Sequence, residues 1–106
     1  MARDTKGEKM LAIIAKMKIK EGSIDEAIKL FEAVVPKVRE EDGTLAYGIC
    51  RDKANPNLLV VIERYRDMEA IQAHSSSAHF KEFSKAIGPV LDGKPEISVL
   101  EEVVSI

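Results

Sequence analysis

The stretch NLLVVIERY, residues 57–65, decides the fold of this 106-residue chain, because it contains an apolar run of strand length. Successive side chains of a β-strand point to opposite faces of a sheet. Both faces of this strand would be apolar, with Leu59 and Val61 on one face and Leu58, Val60 and Ile62 on the other. Such a strand lies in the centre of a sheet that is covered on both sides. The stretch therefore predicts a central, doubly covered strand.

Three further strands are predicted around it. Residues 10–19 alternate, with one wholly apolar set from Leu11 to Ile19, which is the period of a half-buried strand. The segment TLAYGIC, residues 44–50, precedes the central strand, and the turn residues of RDKANPN between them predict a hairpin. The segment EISVLEEVV, residues 96–104, alternates again and predicts the last strand.

A long helix is predicted between the first two strands. Ser23 can cap it, and Glu26 can complete a capping box. An apolar stripe at three- and four-residue steps carries the helix to the sequence EEDG, where Gly43 can adopt a left-handed conformation. The charged run VREEDG is interpreted as a solvated helix end.

The segment IQAHSSSAHF, residues 71–80, carries both histidines of the chain, five residues apart. Asp67 can cap a short helix that ends at His74, and Ser77 can cap a second helix over residues 78–87. The segment is therefore predicted to be, first of all, a capped turn between two helices. Its two imidazoles would lie at the rim of a cleft.

The order of these elements is β-α-β-β-α-β, with the two short helices taken together. This is the ferredoxin-like α+β arrangement, with a four-stranded antiparallel sheet. Helices cover one face of such a sheet, and the other face here would expose Val60, Ile62 and their neighbours. Because a contiguous apolar face normally marks an interface, we expect a homodimer that packs through the open sheet faces.

Composition is that of an ordinary single-domain globular protein. Hydrophobic residues make up 45% and charged residues 32%, and a net charge of −2 without a basic stripe argues against a nucleic-acid surface. The apolar runs are too short to span a membrane, the polar start is unlike a signal peptide, and the single Cys50 excludes an internal disulfide. We expect a flexible tail over residues 1–9, one domain over residues 10–106 and a cytoplasmic location.

The segments VVIERY, RDMEAIQAH and SSSAHFKEF together resemble the antibiotic biosynthesis monooxygenase (ABM) domain family, and VVPKVREEDGTLAYGI is similar to it as well. In that family an apolar strand ends in E-x-W or E-x-Y. A short helix that ends in A-H follows, and then a serine or threonine, a proline, and H-F or H-Y. The matching positions are Glu63, Tyr65, His74, Ser77, Ala78, His79 and Phe80, so only the proline differs.

The resemblance implies a dimeric α+β barrel with a cleft between helices and sheet in each protomer. Family members include oxygenases that act on quinols or polyketide anthrones without metal or flavin, haem-degrading enzymes, and a cofactorless isomerase of a phosphorylated quorum-sensing ketone. The haem-degrading members use an Asn on the first strand, a Trp on the third and a His in the last helix. This chain lacks the Asn and has Tyr65 and Ser84 at the other two positions, so haem degradation is disfavoured.

The expected function is therefore cofactor-independent monooxygenation of a quinol, phenol or anthrone-like small molecule by dioxygen. Such a reaction needs a dry pocket and one base. His74 is the candidate base because imidazole titrates near neutral pH, and Tyr65 is the second candidate catalytic residue. The candidate substrate-binding residues are His79, Glu63, Phe31 and Phe83.

Structural roles are the alternative for these residues. His74 could bond a carbonyl at its helix end, Tyr65 could cover the core with its hydroxyl at the rim, and Glu63 could be an anchor. The phenylalanines are equally well explained as core.

Two other functions remain open. One is a cofactorless isomerase of a small phosphorylated hydroxyketone (autoinducer-2-phosphate type), for which Lys81, Arg64 and Arg66 could bind the phosphate. The other is a non-catalytic small-molecule-binding protein on the same scaffold.

A metal site is not expected. His74 and His79 lie on either side of a helix break, no cysteine is near, and only Glu63 or Glu69 could join them.

Overall fold

Four antiparallel strands form one sheet with helices against one of its faces in the computed structural model, which describes residues 9–106. The strands are β1 (Leu11–Lys18), β2 (Thr44–Arg51), β3 (Leu58–Tyr65) and β4 (Glu96–Glu101). The helices are α1 (Ile24–Arg39), α2 (Met68–Ser75) and α3 (Ala78–Ile87), and a single 3-10 turn, Gly88–Val90, follows them. Of the tail predicted over residues 1–9, all but Lys9 lies outside the described residues.

The strand order is β2-β3-β1-β4, and each neighbouring pair is antiparallel. This is the ferredoxin-like α+β arrangement, so the predicted fold is confirmed. β3 is an inner strand because it pairs with β2 along one edge and with β1 along the other.

The two faces of β3 differ in exposure. Leu59 and Val61 on the helix-covered face are each 1% exposed, whereas Ile62 on the opposite face is 43% exposed. Within a single chain, β3 is therefore covered on one face only, whereas the sequence predicted cover on both faces. The open face is the surface that the expected homodimer would bury.

α1 packs its apolar stripe into the core, where the ring of Phe31 lies 4.6 Å from the ring of Phe83 in α3. The predicted capping box at its start is wrong, because the Ser23 side chain makes no cap hydrogen bond. Ser23 has φ −112° and ψ 7°, outside the extended conformation from which an N-cap side chain reaches the helix. No helix in the described part of the chain is long and apolar enough to cross a membrane.

Gly43 does not adopt the predicted left-handed conformation. Among residues 9–106, positive φ values occur at Gly22 and Gly93 only. Gly43 is instead a point of close approach between the start of β2 and α2, because a Cβ there would lie 2.4 Å from the Cβ of Ala70.

β4 is shorter than the predicted segment, residues 96–104. It ends at Glu101, which pairs with Leu11 at the start of β1, and one more backbone hydrogen bond follows, from the Glu102 N–H to the Met10 carbonyl at 3.0 Å. Val103 and Val104 beyond it are 90% and 86% exposed.

Candidate functional site

A largely buried carboxylate just after α1, Glu41, contacts both histidines of the chain. One of its oxygens lies 2.9 Å from Nδ1 of His74, and the other lies 2.5 Å from Nε2 of His79. The Thr44 hydroxyl donates to the first oxygen at 2.5 Å. These four residues, Glu41, Thr44, His74 and His79, form the imidazole–carboxylate cluster.

Two helix caps bring the histidines to this carboxylate. The Asp67 side chain accepts a backbone N–H of the first turn of α2, and this helix carries His74 in its last turn. The Ser77 hydroxyl accepts an N–H of the first turn of α3 and donates to the carbonyl of His74 at 2.7 Å. His79 follows in that first turn. The prediction that IQAHSSSAHF is a capped turn between two helices is confirmed.

A bulge in β2 directs two side chains toward the cluster. The register against β3 shifts between Thr44 and Ala46, which makes Leu45 the extra residue. In a regular strand, side chains three positions apart point to opposite faces. Here Thr44 and Tyr47 both lie on the helix-covered face, with Tyr47 directly opposite Glu63.

Aromatic rings enclose His74, which is 5% exposed. The ring centroids of Tyr47 and Tyr65 lie 5.6 Å from the imidazole, and that of Phe80 lies 5.1 Å away. In such dry surroundings the interaction of the imidazole with its carboxylate is stronger than it would be in water.

Glu41 is ionised at neutral pH. Burial raises its pKa, but hydrogen bonds from Thr44, His79 and His74 outweigh burial, and the net pKa lies below its ordinary value. An ionised carboxylate can only accept hydrogen bonds, so Nδ1 of His74 donates to Glu41. The lone pair of the neutral imidazole is then on Nε2, which is the atom that can act as a base.

Tyr65 and Glu63 form a buried pair beside the cluster. They are 0% and 7% exposed, and the tyrosine hydroxyl donates to the carboxylate at 2.6 Å. Burial raises the pKa of Glu63, although the hydrogen bond from Tyr65 opposes that effect. The Tyr65 hydroxyl thus lies in the interior instead of at the predicted rim. It donates its hydrogen bond there to the buried Glu63 carboxyl, which needs a donor once it is removed from water.

A cleft with a volume of about 550 Å³ lies between α1 and β2. Its wall is mainly apolar and includes Phe31, Tyr47 and Leu59, with Arg51 among its charged residues. Tyr47 also packs against the His74 ring, so this side chain connects the cleft with the cluster.

A smaller cleft of about 160 Å³ lies between α1 and α3, and His79 and Phe83 line it. The predicted site residues therefore do not all line the same cleft. Phe31 lines the larger cleft, His79 and Phe83 the smaller one, and His74, Glu63 and Tyr65 line neither.

Glu41, Thr44 and Tyr47 were not among the sequence candidates. Glu41 belongs to the run VREEDG, and both of its acidic neighbours, Glu40 and Asp42, are exposed as that run suggested. No local signal distinguishes the one acid of the three that turns inward. The regular alternation of TLAYGIC predicts that Tyr47 shares a sheet face with Ile49 and not with Thr44. The bulge at Leu45, which the alternation does not reveal, places Thr44 on that face as well.

Two of the cations considered for a phosphate are held in ion pairs. Arg64 on the open face pairs with Glu102 at 2.8 Å, and Arg66 pairs with Asp42 at 3.2 Å. Neither contact supports a phosphate subsite at the cluster.

Comparison with known proteins gives a consistent result. The family model described as "Antibiotic biosynthesis monooxygenase" matches residues 10–86. The "Probable quinol monooxygenase YgiN" of Escherichia coli (strain K12) is 29% identical over 94 residues, which cover 78% of this chain and 90% of that protein. The "Putative monooxygenase YcnE" of Bacillus subtilis (strain 168) is 27% identical over 95 residues, which cover 90% of this chain and 94% of that protein.

A solved structure from Caulobacter crescentus CB15, described as a "putative antibiotic biosynthesis monooxygenase", superposes with a TM-score of 0.88. Its sequence is 31% identical, and the match covers 92% of each chain.

Proposed function

Because the chain belongs to the antibiotic biosynthesis monooxygenase family, we propose that it uses dioxygen to oxidise a phenolic, quinol or anthrone-like small molecule without a metal or flavin. The observation that carries this proposal is the Glu41–His74 pair, enclosed by aromatic rings. Tyr47 links this pair to a cleft of about 550 Å³, which is within the usual size range of small-molecule sites.

His74 is the base in this proposal. Glu41 holds its Nδ1–H and thereby presents the lone pair of Nε2, and the carboxylate stabilises the imidazolium that forms when Nε2 takes a proton. Glu41 is thus a positioning residue that acts through His74.

The substrate would bind in the larger cleft with its ring against Phe31 and Tyr47. His74, and with it Nε2, is buried. For the substrate proton to reach this base, either the Tyr47 ring moves aside, or Tyr47 holds the substrate oxygen at the boundary between the cleft and the cluster. The mainly apolar wall of the cleft suits an aromatic substrate.

The substrate can supply every electron that the reaction needs. Removal of its acidic proton leaves an anion that transfers one electron to dioxygen, and the resulting radical and superoxide combine to a peroxide. The peroxide takes a proton from the imidazolium and loses water as a ketone or quinone forms. One oxygen atom enters the product and the other leaves as water. The four electrons that dioxygen accepts all come from the substrate.

Oxygen uptake by chelator-treated protein with a panel of hydroquinones and anthrones tests the proposal. We expect uptake to survive chelation and to fall about 10²- to 10⁴-fold in His74→Ala, the range for loss of an acid–base group. Glu41→Gln should also reduce the rate, because the amide cannot stabilise the imidazolium as a carboxylate does.

Gln72→Ala is the matched control, because Gln72 is an exposed residue of the same helix. If wild type gave no uptake above the uncatalysed rate with any substrate of the panel, the isomerase and binding functions would be favoured instead. Equal rates for wild type and His74→Ala would contradict the assignment of the base.

A further inference from the structure

We propose that Glu41, His74 and His79 also form a binding site for a divalent transition-metal ion such as Zn²⁺. Each residue offers one ligand atom, and these atoms all lie within 4.8 Å of one another. The side chain of His74 is buried, and those of Glu41 and His79 are largely buried, so the group is not a chance cluster of mobile surface side chains.

The donor set has the right chemistry. Two imidazole nitrogens and one carboxylate bind Zn²⁺ in hydrolytic enzymes, and the same set binds non-haem Fe(II) with positions left open for other ligands. The sequence offered no such trio near the two histidines. The fold supplies the third ligand from a position 33 residues before His74.

An ion would require adjustments of the three side chains, because the two imidazole nitrogens lie within 4.8 Å of each other and would have to come to the ligand spacing of the metal. Zn²⁺ bonds to nitrogen and oxygen at about 2.0–2.2 Å, so tetrahedral ligand atoms lie roughly 3.3 Å apart. The contacts of Glu41 with the two imidazoles are 2.9 Å and 2.5 Å, which a slight rotation of the carboxylate would widen. The Thr44 hydroxyl already holds that carboxylate from outside, as the outer partners of metal ligands do.

An ion in this site would exclude the base chemistry, a consequence that rests on the proposed function. His74 would coordinate through Nδ1, the atom that faces Glu41. A neutral imidazole bound through Nδ1 carries its proton on Nε2 and has no lone pair left there. The bound ion would therefore inhibit the cofactor-independent reaction.

The binding test uses the full, tag-free chain after chelation, without substrate. Zinc is titrated by calorimetry, and cobalt by its visible absorption, at one fixed pH. We expect one ion per chain, bound at least about 10-fold more weakly in His79→Ala and in Glu41→Gln, since even loss of an outer partner costs 10–100-fold in affinity. Glu40→Gln, at the exposed neighbour of Glu41, is the matched control and should bind like wild type.

Cys50 is exposed and could bind the probe ion by itself, so the titrations are done in a Cys50→Ser background. The X-ray absorption spectrum of the zinc-loaded protein without site variants should show two imidazoles, which are all that the chain contains. Fewer than two imidazoles on the ion, or equal affinity in the ligand variants and the control, would overturn the site. Because no substrate is present, either result is independent of whether the protein is an oxygenase.

Discussion

Single side chains decide which atoms of the cluster are free to react. Glu41 engages Nδ1 of His74 and leaves Nε2 free to be the base of the proposed reaction, and the same carboxylate also contacts His79. Burial, followed by the charges of Glu63 and Glu41, raises the pKa of the Tyr47 hydroxyl. The hydroxyl therefore stays protonated, and in the proposed reaction it would donate a hydrogen bond to a substrate oxygen.

Tyr47→Phe is expected to lower kcat/KM about 2- to 10-fold, which corresponds to the loss of one neutral hydrogen bond. Tyr65→Phe should instead lower the free energy of unfolding by about 1–3 kcal/mol, because it leaves the buried Glu63 carboxyl without its donor. Oxygen uptake and urea unfolding of both variants separate the two roles. A larger loss of activity in a fully stable Tyr65→Phe would favour the sequence-based role of Tyr65 at the substrate.

Glu63→Gln tests the buried carboxyl through pH. Burial raises the pKa of Glu63 above its ordinary value of 4.5, so its contribution to stability is full below that pH and is lost as pH rises through the folded-state pKa. The amide does not titrate and still accepts from Tyr65. The variant should therefore gain stability relative to wild type as pH rises above 4.5, the ordinary pKa of the carboxyl.

Urea unfolding at several pH values measures this difference. Glu82→Gln, at an exposed position of α3, is the control and should follow wild type. Parallel stability curves for wild type and Glu63→Gln would show that Glu63 is not the group responsible.

At the level of elements, two close contacts hold the cluster together. The turn between α2 and α3 is closed by the Ser77 hydroxyl, and the segment that carries Glu41 passes against α2 at Gly43. The carbonyl of Gly43 also accepts the N–H of Arg66 at the start of the α2 segment. The histidines and their carboxylate therefore keep their spacing only if these segments stay in contact.

Gly43→Ala is expected to lower the free energy of unfolding by about 1–3 kcal/mol, the usual cost of overpacking, because its Cβ would lie 2.4 Å from that of Ala70. Urea unfolding measures the loss. Gly48→Ala in β2 is the control, since no atom lies within 4 Å of a Cβ there. Adding Ala70→Gly should recover part of the loss, whereas purely additive costs would contradict a direct clash.

At the level of the whole molecule, the face of the sheet opposite the helices exposes apolar side chains to solvent within a single chain. It carries Ile62, 43% exposed, on the inner strand and Leu100, 46% exposed, on the edge strand. The homodimer expected from the sequence would cover these side chains, and it stays a prediction.

Ile62→Lys is expected to convert a homodimer into a monomer, because it places a charge in the centre of the buried face. Light scattering after size-exclusion chromatography at micromolar concentration measures the mass. Met68→Lys, at a residue 50% exposed on α2, adds the same charge outside the sheet and should leave the mass unchanged. A wild-type protein that is already monomeric under these conditions would contradict the dimer.

The sequence by itself determined the strands, the helices and their order, because alternation, apolar stripes and the caps at Asp67 and Ser77 are local patterns. It also placed His74 and His79 on either side of a capped turn. Only the tertiary structure decided their partner. Glu41 is distant in sequence, and whether an acid in VREEDG faces water or the interior depends on the path of the chain after α1. The bulge at Leu45 and the close approach at Gly43 set that path, and both are properties of packed segments that no single segment encodes.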